Sequence, residues 1–314
     1  MSNVESDEAL LGGCCVSKSN LAASIRQRLK NHAKKSGESF NLILVRFGLE
    51  RLLYRITATQ PKDLFVLKGG ALFYCWTEKL HRPTRDIDLL GMGEPSPDRF
   101  QKIFIEVISA EYEDGLVFDK DSLVVDTMKD DQQYSGLRLS LVAYLENAKI
   151  NLQIDIGFGD ATVPDPKFVE YPVLLDLPAP KILAYKKETV IAEKFQAMVD
   201  LGIANSRMKD FFDLYTFALN FEFDGIELTE AIKATFERRE TEIPSDSPLA
   251  LTPEFSRNED KQKQWAAFAK KLDLKITLEE TVQTIAGFIM PCIVSLSTQD
   301  SFAKKWTEDK WREA

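Results

Sequence analysis

Residues 65–91 read FVLKGGALFYCWTEKLHRPTRDIDLLG, and the fold follows from how this stretch divides. Leu64 to Leu67 is a short apolar run with a Pro-containing turn before it and glycines after it, the pattern of a buried strand. Gly69 and Gly70 are expected to open a helix over Ala71 to Glu78. Without β-carbons they let backbone approach a ligand, and a helix start offers unpaired N–H groups to an anion such as a phosphate. In Asp86-Ile87-Asp88-Leu89-Leu90 the strand period puts both aspartates on one face, with Ile87 and Leu89 on the other. Two carboxylates aimed the same way beside a phosphate cradle make half of a Mg²⁺ site.

The remaining ligand is expected from a neighbouring strand. In Ile150-Asn151-Leu152-Gln153-Ile154-Asp155-Ile156 the apolar residues share one face, and Asn151, Gln153 and Asp155 share the other. If this strand lies beside the Asp86 strand, at about 4.8 Å, Asp155 reaches the same metal. Taken singly, each piece also reads blandly, as a helix cap, a solvated strand end or an exposed strand residue. Their order (strand, Gly-Gly, helix, Asp-x-Asp strand, later Asp strand) is harder to reach by accident.

Composition narrows the chemistry. The chain of 314 residues is 44% hydrophobic and 28% charged, as in ordinary globular proteins, and its length suits two domains. No apolar run is read as long enough to span a bilayer, and the opening MSNVESDEALL is not a signal sequence, so a cytoplasmic, non-membrane protein is expected. The four cysteines (Cys14, Cys15, Cys75, Cys292) lack metal-ligand spacing, and His32 and His81 are the only histidines. Zinc sites and His-dependent nucleophilic catalysis have little material; hard-metal chemistry on carboxylates gains weight. The net charge of −9 argues against tight non-specific binding to nucleic acid, although a local basic face could serve one structured RNA.

Along the chain, residues 1–19 are expected to be a mobile tail or short docking segment. A basic helical pattern starts at Leu21, with Arg26, Arg28, Lys30, Lys34 and Lys35 before Gly37. It reads first as a solvated face and second as an RNA-binding surface. Ser39 is an N-cap candidate for a helix through about residue 57 that must pack on the core sheet. Asp98 to Ala110 reads as a helix. Leu116–Phe118, Leu123–Thr127 and Leu137–Leu145 read as strands, the last turning through Glu146-Asn147-Ala148 into the Asp155 strand. The acidic residues between 111 and 131 read as solvated loops. Gly157-Phe158-Gly159 lacks the following helix of a dinucleotide fingerprint.

Five prolines within 160–181 mark the passage to a second domain. The expected organisation is a tail (1–19), an α+β core with a mixed sheet and N-terminal helices (20–175) and a largely helical C-terminal domain (176–314). Helical periodicity covers Thr189–Leu201, Met208–Leu219, Leu228–Arg239, Asp260–Leu272 and Leu278–Leu296, with a surface loop over 240–257. Lys194 is a cation on a mostly apolar stripe, either snorkelling to water or held toward a phosphate. Asn205 or Ser206 is expected to cap the next helix, on which Asp210 and Asp213 share a face with Leu214 and Phe217.

Four ordered motifs, FVLKGG, RPTRDIDLLG, ETVIAEKFQAMV and NSRMKDFFDLY, closely resemble the AbiEii/AbiGii-type nucleotidyltransferase toxins of the polymerase-β-like superfamily. LVRFGLERLLYRI and LEETVQTIAGFIMPCIVSL look like family sequence too, so the resemblance covers nearly all of the chain after residue 20. It implies a polymerase-β-like nucleotidyltransferase core and a toxin of a type IV toxin–antitoxin or abortive-infection pair. The activity implied is Mg²⁺- or Mn²⁺-dependent transfer of a nucleotide from an NTP to a macromolecule, foremost the acceptor end of tRNA. An antitoxin encoded next to it is implied, with no need for direct binding.

By motif, Gly69 and Gly70 contact the triphosphate, with Lys68 and Arg85 in the nucleotide-binding set. Asp86 and Asp88 hold the metal, Lys194 binds nucleotide phosphate, Asp210 completes the site, and Asp155 matches the third carboxylate of the superfamily. One departure is Ala71, where the wider superfamily has a serine. Two other readings stay open: an NTP- or RNA-binding module without transfer, and a kinase-like transfer of the γ-phosphoryl group.

Overall fold

The computed structural model describes residues 13–77, 82–128 and 136–313. Residues 1–12 of the expected tail, and Glu78 of the expected helix after the glycines, lie outside the described residues. Two compact units are formed, one from Met1–Gly159 and Phe168–Ala184, the other from Asp160–Lys167 and Tyr185–Ala314. The chain thus crosses between them around the proline-rich stretch.

The first unit begins with α1 (Gly13–Ser36) and α2 (Phe40–Thr59). Helix α1 includes part of what the sequence suggested was tail. Ser39 caps α2 as expected, its hydroxyl accepting from the Leu42 N–H at 3.3 Å. Strand β1 (Phe65–Lys68) leads into a 3₁₀ turn over Gly69–Leu72, the four-residue α3 (Phe73–Trp76) and β2 (Ile87–Gly91). The helix expected over Ala71 to Glu78 is therefore a tight turn plus a single helical turn. Helix α4 (Pro97–Ser109), capped by Ser96, precedes β3 (Leu116–Met128), β4 (Gly136–Leu145) and β5 (Ala148–Phe158).

The two short strands expected between 116 and 127 are one strand whose pairing with β4 shifts register between Asp119 and Val124. Two short strands, β6 (Lys167–Glu170) at the edge and β7 (Lys181–Ala184) inside it, complete a seven-stranded sheet in the order β3-β4-β5-β2-β1-β7-β6. Strands β1 and β2 are antiparallel, whereas β2–β5 and β1–β7 are parallel, so the sheet is mixed as expected.

Period two decides which face of this sheet is covered. Leu137, Leu139, Leu141, Ile154, Ile156, Ile87 and Leu89 are all buried. Helix α2 lies on this face, with Gly48 so close to β5 that a β-carbon there would stand 2.8 Å from Leu152. Phe65 of β1 meets Phe100 and Phe104 of α4 edge-on. The opposite face carries Arg138, Ser140, Gln153 and Asp155.

Helix α2 also buries charge. Arg55 grips Asp114 through two bonds of 2.6 and 3.0 Å, Arg51 donates to the Pro178 carbonyl at 2.7 Å, and Glu50 accepts the Leu174 N–H at 2.9 Å. Asp114, within the acidic stretch read as solvated loop, is instead a buried counter-charge. Its Oδ1 also accepts the Leu116 N–H, so it fixes the entry to β3.

The second unit is mostly helical. It comprises α5 (Lys187–Leu201), α6 (Met208–Asn220), α7 (Gly225–Arg238), α8 (Pro253–Ser256), α9 (Glu259–Leu272) and α10 (Leu278–Thr298). The short β8 (Phe223–Asp224) joins β9 (Lys304–Thr307) and β10 (Lys310–Glu313) in a three-stranded sheet. The five helices expected here are present. The 240–257 segment departs from a surface loop, because Ala250, Leu251, Phe255 and Ser256 are buried. Asn205 does not cap α6; its Oδ1 accepts the Arg207 N–H and closes the turn before the helix.

Helix α10 is capped by a reciprocal Thr277–Glu280 box. By length and hydropathy it could cross a membrane, a property the sequence reading did not assign to any run. Its inner face, with Val282, Ile285, Phe288, Ile289, Cys292 and Ile293, is buried in the unit's core, where Phe288 packs on Trp306 and Trp311.

Candidate active site

Strands β1, β2 and β5 lie side by side and bring most of the first unit's expected residues together. Lys68 is the register partner of Asp88, and Asp88 in turn of Asp155. Asp86 stands at the bend just before β2. Gly69 is left-handed, with φ +71°, and a β-carbon on it would lie 2.0 Å from Asp88 Oδ2. Its missing side chain is where the Asp88 carboxylate sits. A β-carbon on Gly70 would come 2.7 Å from the Arg82 guanidinium. Both glycines thus admit charged side chains to the backbone, and they sit in a tight turn rather than at the expected helix start.

Ala71 is buried, so the position where the superfamily has serine faces the core here. Arg85 is exposed.

The residue that sequence reasoning missed is Arg138. On β4 it is the register partner of Asp155. Its Nε donates to Asp155 Oδ1 at 2.8 Å and its Nη2 to Oδ2 at 2.7 Å, a two-pronged charge-assisted pair. The hydrogen bond to Asp155 is the main cause of a raised Arg138 pKa, and the charges of Asp155, Asp86 and Asp88 push the same way. The three aspartates therefore share one electrostatic neighbourhood. The strand period puts Arg138 on the face opposite Leu137, Leu139 and Leu141, but nothing in the sequence tells which carboxylate it faces.

Do these residues fit a divalent cation? Asp86 and Asp88 supply hard oxygen donors of the right kind. Asp155 differs from the expectation. Both of its oxygens are taken by Arg138, and Gln153 Nε2 lies 3.2 Å from Oδ1. Among the described residues no three His, Cys, Asp or Glu side chains are grouped to hold a metal. The fit is to a two-carboxylate donor set, with Arg138 beside it as a fixed positive charge.

Lys194 and Asp210 belong to the second unit, where they bond to each other. Lys194 Nζ lies 2.6 Å from Asp210 Oδ1 and 2.9 Å from Asp213 Oδ2. Asp213 is fully buried and Asp210 nearly so. Lys194 thus neither simply snorkels nor stands as an isolated cation; it joins α5 to α6. A second polar group, also unforeseen, gathers around Arg239, which donates to Gln196 at 2.8 Å and pairs with Glu193 at 3.2 Å and Asp160 at 3.5 Å. Its members are spread from residue 160 to 239, and no local pattern joins them.

A mixed sheet with a glycine turn and paired carboxylates on adjacent parallel strands places this protein in the nucleotidyltransferase fold class. Two solved structures from Helicobacter pylori are similar. Protein JHP933 is 19% identical, with 83% of this chain and 95% of that one covered and a TM-score of 0.49. A protein provisionally assigned as a nucleotidyltransferase is 18% identical, with 83% and 99% covered and a TM-score of 0.51. At such identity the second comparison speaks to the fold alone. The sequence model of the nucleotidyl transferase AbiEii toxin of type IV toxin–antitoxin systems matches residues 51–287, and the chain belongs to that family. Among curated proteins, none matches the sequence.

Proposed function

We propose that this protein transfers a nucleoside monophosphate from an NTP to a macromolecular acceptor, foremost the acceptor end of tRNA. The observation that carries the reading is the placement of Asp88 beside Asp155 on β2 and β5, with the Gly69 backbone pressed against the Asp88 carboxylate. An acceptor hydroxyl attacks the α-phosphorus in line, its proton leaves, the bond to the β-phosphate breaks, and pyrophosphate departs. The Gly69–Gly70 turn lets the triphosphate lie against backbone, and Lys68 and Arg85 offset its charge. Asp86 and Asp88 would hold Mg²⁺ or Mn²⁺, which when bound neutralises phosphate charge and stabilises the leaving group. Arg138 orients Asp155, a candidate acceptor for the hydroxyl proton.

For Lys194 and Asp210, both in the second unit, the proposal retains what the family resemblance implies, phosphate binding by the lysine and a part in transfer for the aspartate. As a family toxin the protein would act against its host cell, with an antitoxin as its functional counterpart.

One observation favours a second reading, nucleotide binding without transfer: the third carboxylate, Asp155, is already bonded to Arg138. Incubating the protein with total tRNA, Mg²⁺ and each NTP in turn, labelled at the α- or the γ-phosphate, separates the readings. Transfer predicts α-label on RNA with wild type and none with Asp86→Ala or Asp88→Ala, both still folded by circular dichroism. Bound nucleotide with no label moved supports the binding module. Transfer of the γ-label alone points to kinase-like chemistry, and wild-type turnover by either variant would sink the site assignment.

A further inference from the structure

Helix α1 concentrates positive charge in an acidic protein. From residue 9 to residue 37 there is no Asp or Glu, although the whole chain carries a net charge of −9. Its inward stripe, Ala22, Ile25, Leu29 and Ala33, is buried, and α1 packs on α2. Arg28, Lys30, Lys34 and Lys35 are exposed and, among the described residues, none has an ion-pair partner. By contrast Arg26, on the same helix, pairs with Glu146 at 3.2 Å.

At 3.6 residues per turn, Arg28 and Lys35 lie two turns apart on one edge of the outer face, about 10 Å along the axis. Lys30 and Lys34 lie on the other edge, about 6 Å apart. Between the edges runs a polar ridge, where Gln27 Nε2 donates to Asn31 Oδ1 at 2.9 Å. Lys34 and Lys35 in the last turn also favour the helix dipole. That explanation does not extend to Arg28 and Lys30, more than a turn earlier, and Lys30 and Lys34 repel each other at i,i+4. Two rows of unpaired cations flanking hydrogen-bonding side chains suit a run of backbone phosphates. A lipid surface suits them less, because the apolar stripe of Ala22, Ile25, Leu29 and Ala33 behind them is spent on the core.

We propose that the outer face of α1 is a docking track for the phosphate backbone of the acceptor RNA, held by Arg28, Lys30, Lys34 and Lys35. It rests on the reading of RNA as acceptor, and says where that RNA is held. Binding needs no nucleotide, so the two can fail separately.

The test is equilibrium binding of bulk tRNA to the full chain over a series of salt concentrations, with wild type and the quadruple variant Arg28→Gln/Lys30→Gln/Lys34→Gln/Lys35→Gln. Each phosphate contact contributes about 0.7–0.9 to the slope of log affinity against log salt. The quadruple variant is expected to lose about 3 from the slope. Circular dichroism checks that the variant remains helical. No tRNA binding by wild type, or an unchanged affinity and slope in the quadruple variant, overturns the proposal. So does binding of wild type to phosphatidylglycerol vesicles that the variant loses while its tRNA binding is intact. If tRNA binds through α1 but receives no label, the docking track stands and the transfer reading falls.

Discussion

At Gly69 two demands meet at one residue: a left-handed backbone and a carboxylate where a side chain would be. Gly69→Ala is therefore expected to lose about 1–3 kcal/mol of stability from the backbone alone, and to push Asp88 away from its place. Denaturant titration reads the first and nucleotide transfer the second. Full activity in the alanine variant would mean that the position of Asp88 is not critical. Arg138 makes a different prediction. It holds Asp155 and its charge is felt by Asp86 and Asp88, so Arg138→Gln weakens the positive field at the three aspartates and frees Asp155 to ligate. The melting temperature of this variant is expected to rise on adding Mg²⁺ or Mn²⁺ by more than that of wild type. Equal shifts in both proteins would show that Arg138 does not compete with a cation.

Helix α2 shows at the scale of an element what a sequence conceals. Its apolar spacing and its Ser39 cap were legible, and so was its need to lie on the sheet. That Glu50, Arg51 and Arg55 would be buried with it was not, since their partners at 114, 174 and 178 are far away in the chain. The same limit explains why β3 read as two strands, its middle residues Lys120, Asp121 and Ser122 being polar where the register shifts. Glu50 carries a consequence for pH. Burial, offset only partly by the Leu174 N–H and the charge of Arg51, raises its pKa from 4.5 to about 7. The folded protein thus binds a proton that the unfolded chain releases near 4.5. Stability from this group is present below pH 4.5 and falls as pH rises toward 7, by on the order of 3 kcal/mol. Glu50→Gln keeps an acceptor for the Leu174 N–H and removes the charge. Its unfolding free energy is expected to lose this decline between pH 5 and 7; a decline equal to that of wild type would assign the proton to another group.

Over the whole molecule, the mixed sheet and the five long C-terminal helices were legible because each has a clean period of two or 3.6. The β8–β9–β10 sheet was not, since its strands are two to four residues long and lie up to 90 positions apart. Gly69, Asp88 and Asp155 could be read as a group because the motif order names a topology. Lys194 could be picked out, but its partners could not, and they give the last prediction. Two carboxylates, one of them fully buried, pair with this ammonium. Lys194→Met keeps the length of the side chain and removes the cation that bridges them, a change that for buried pairs costs about 3–5 kcal/mol. The loss falls on the second unit, which has its own core and need not unfold together with the first. Of the four tryptophans, Trp265, Trp306 and Trp311 lie in the second unit and Trp76 in the first, so tryptophan fluorescence reports mainly on the second. In Lys194→Met the fluorescence midpoint in denaturant is expected to drop further than the midpoint of the far-ultraviolet dichroism, which both units share. Coincident midpoints, lowered together, would mean that the two units unfold as one. Unchanged midpoints would mean that Asp210 and Asp213 do not need the lysine for folding, which would leave its charge available for a phosphate.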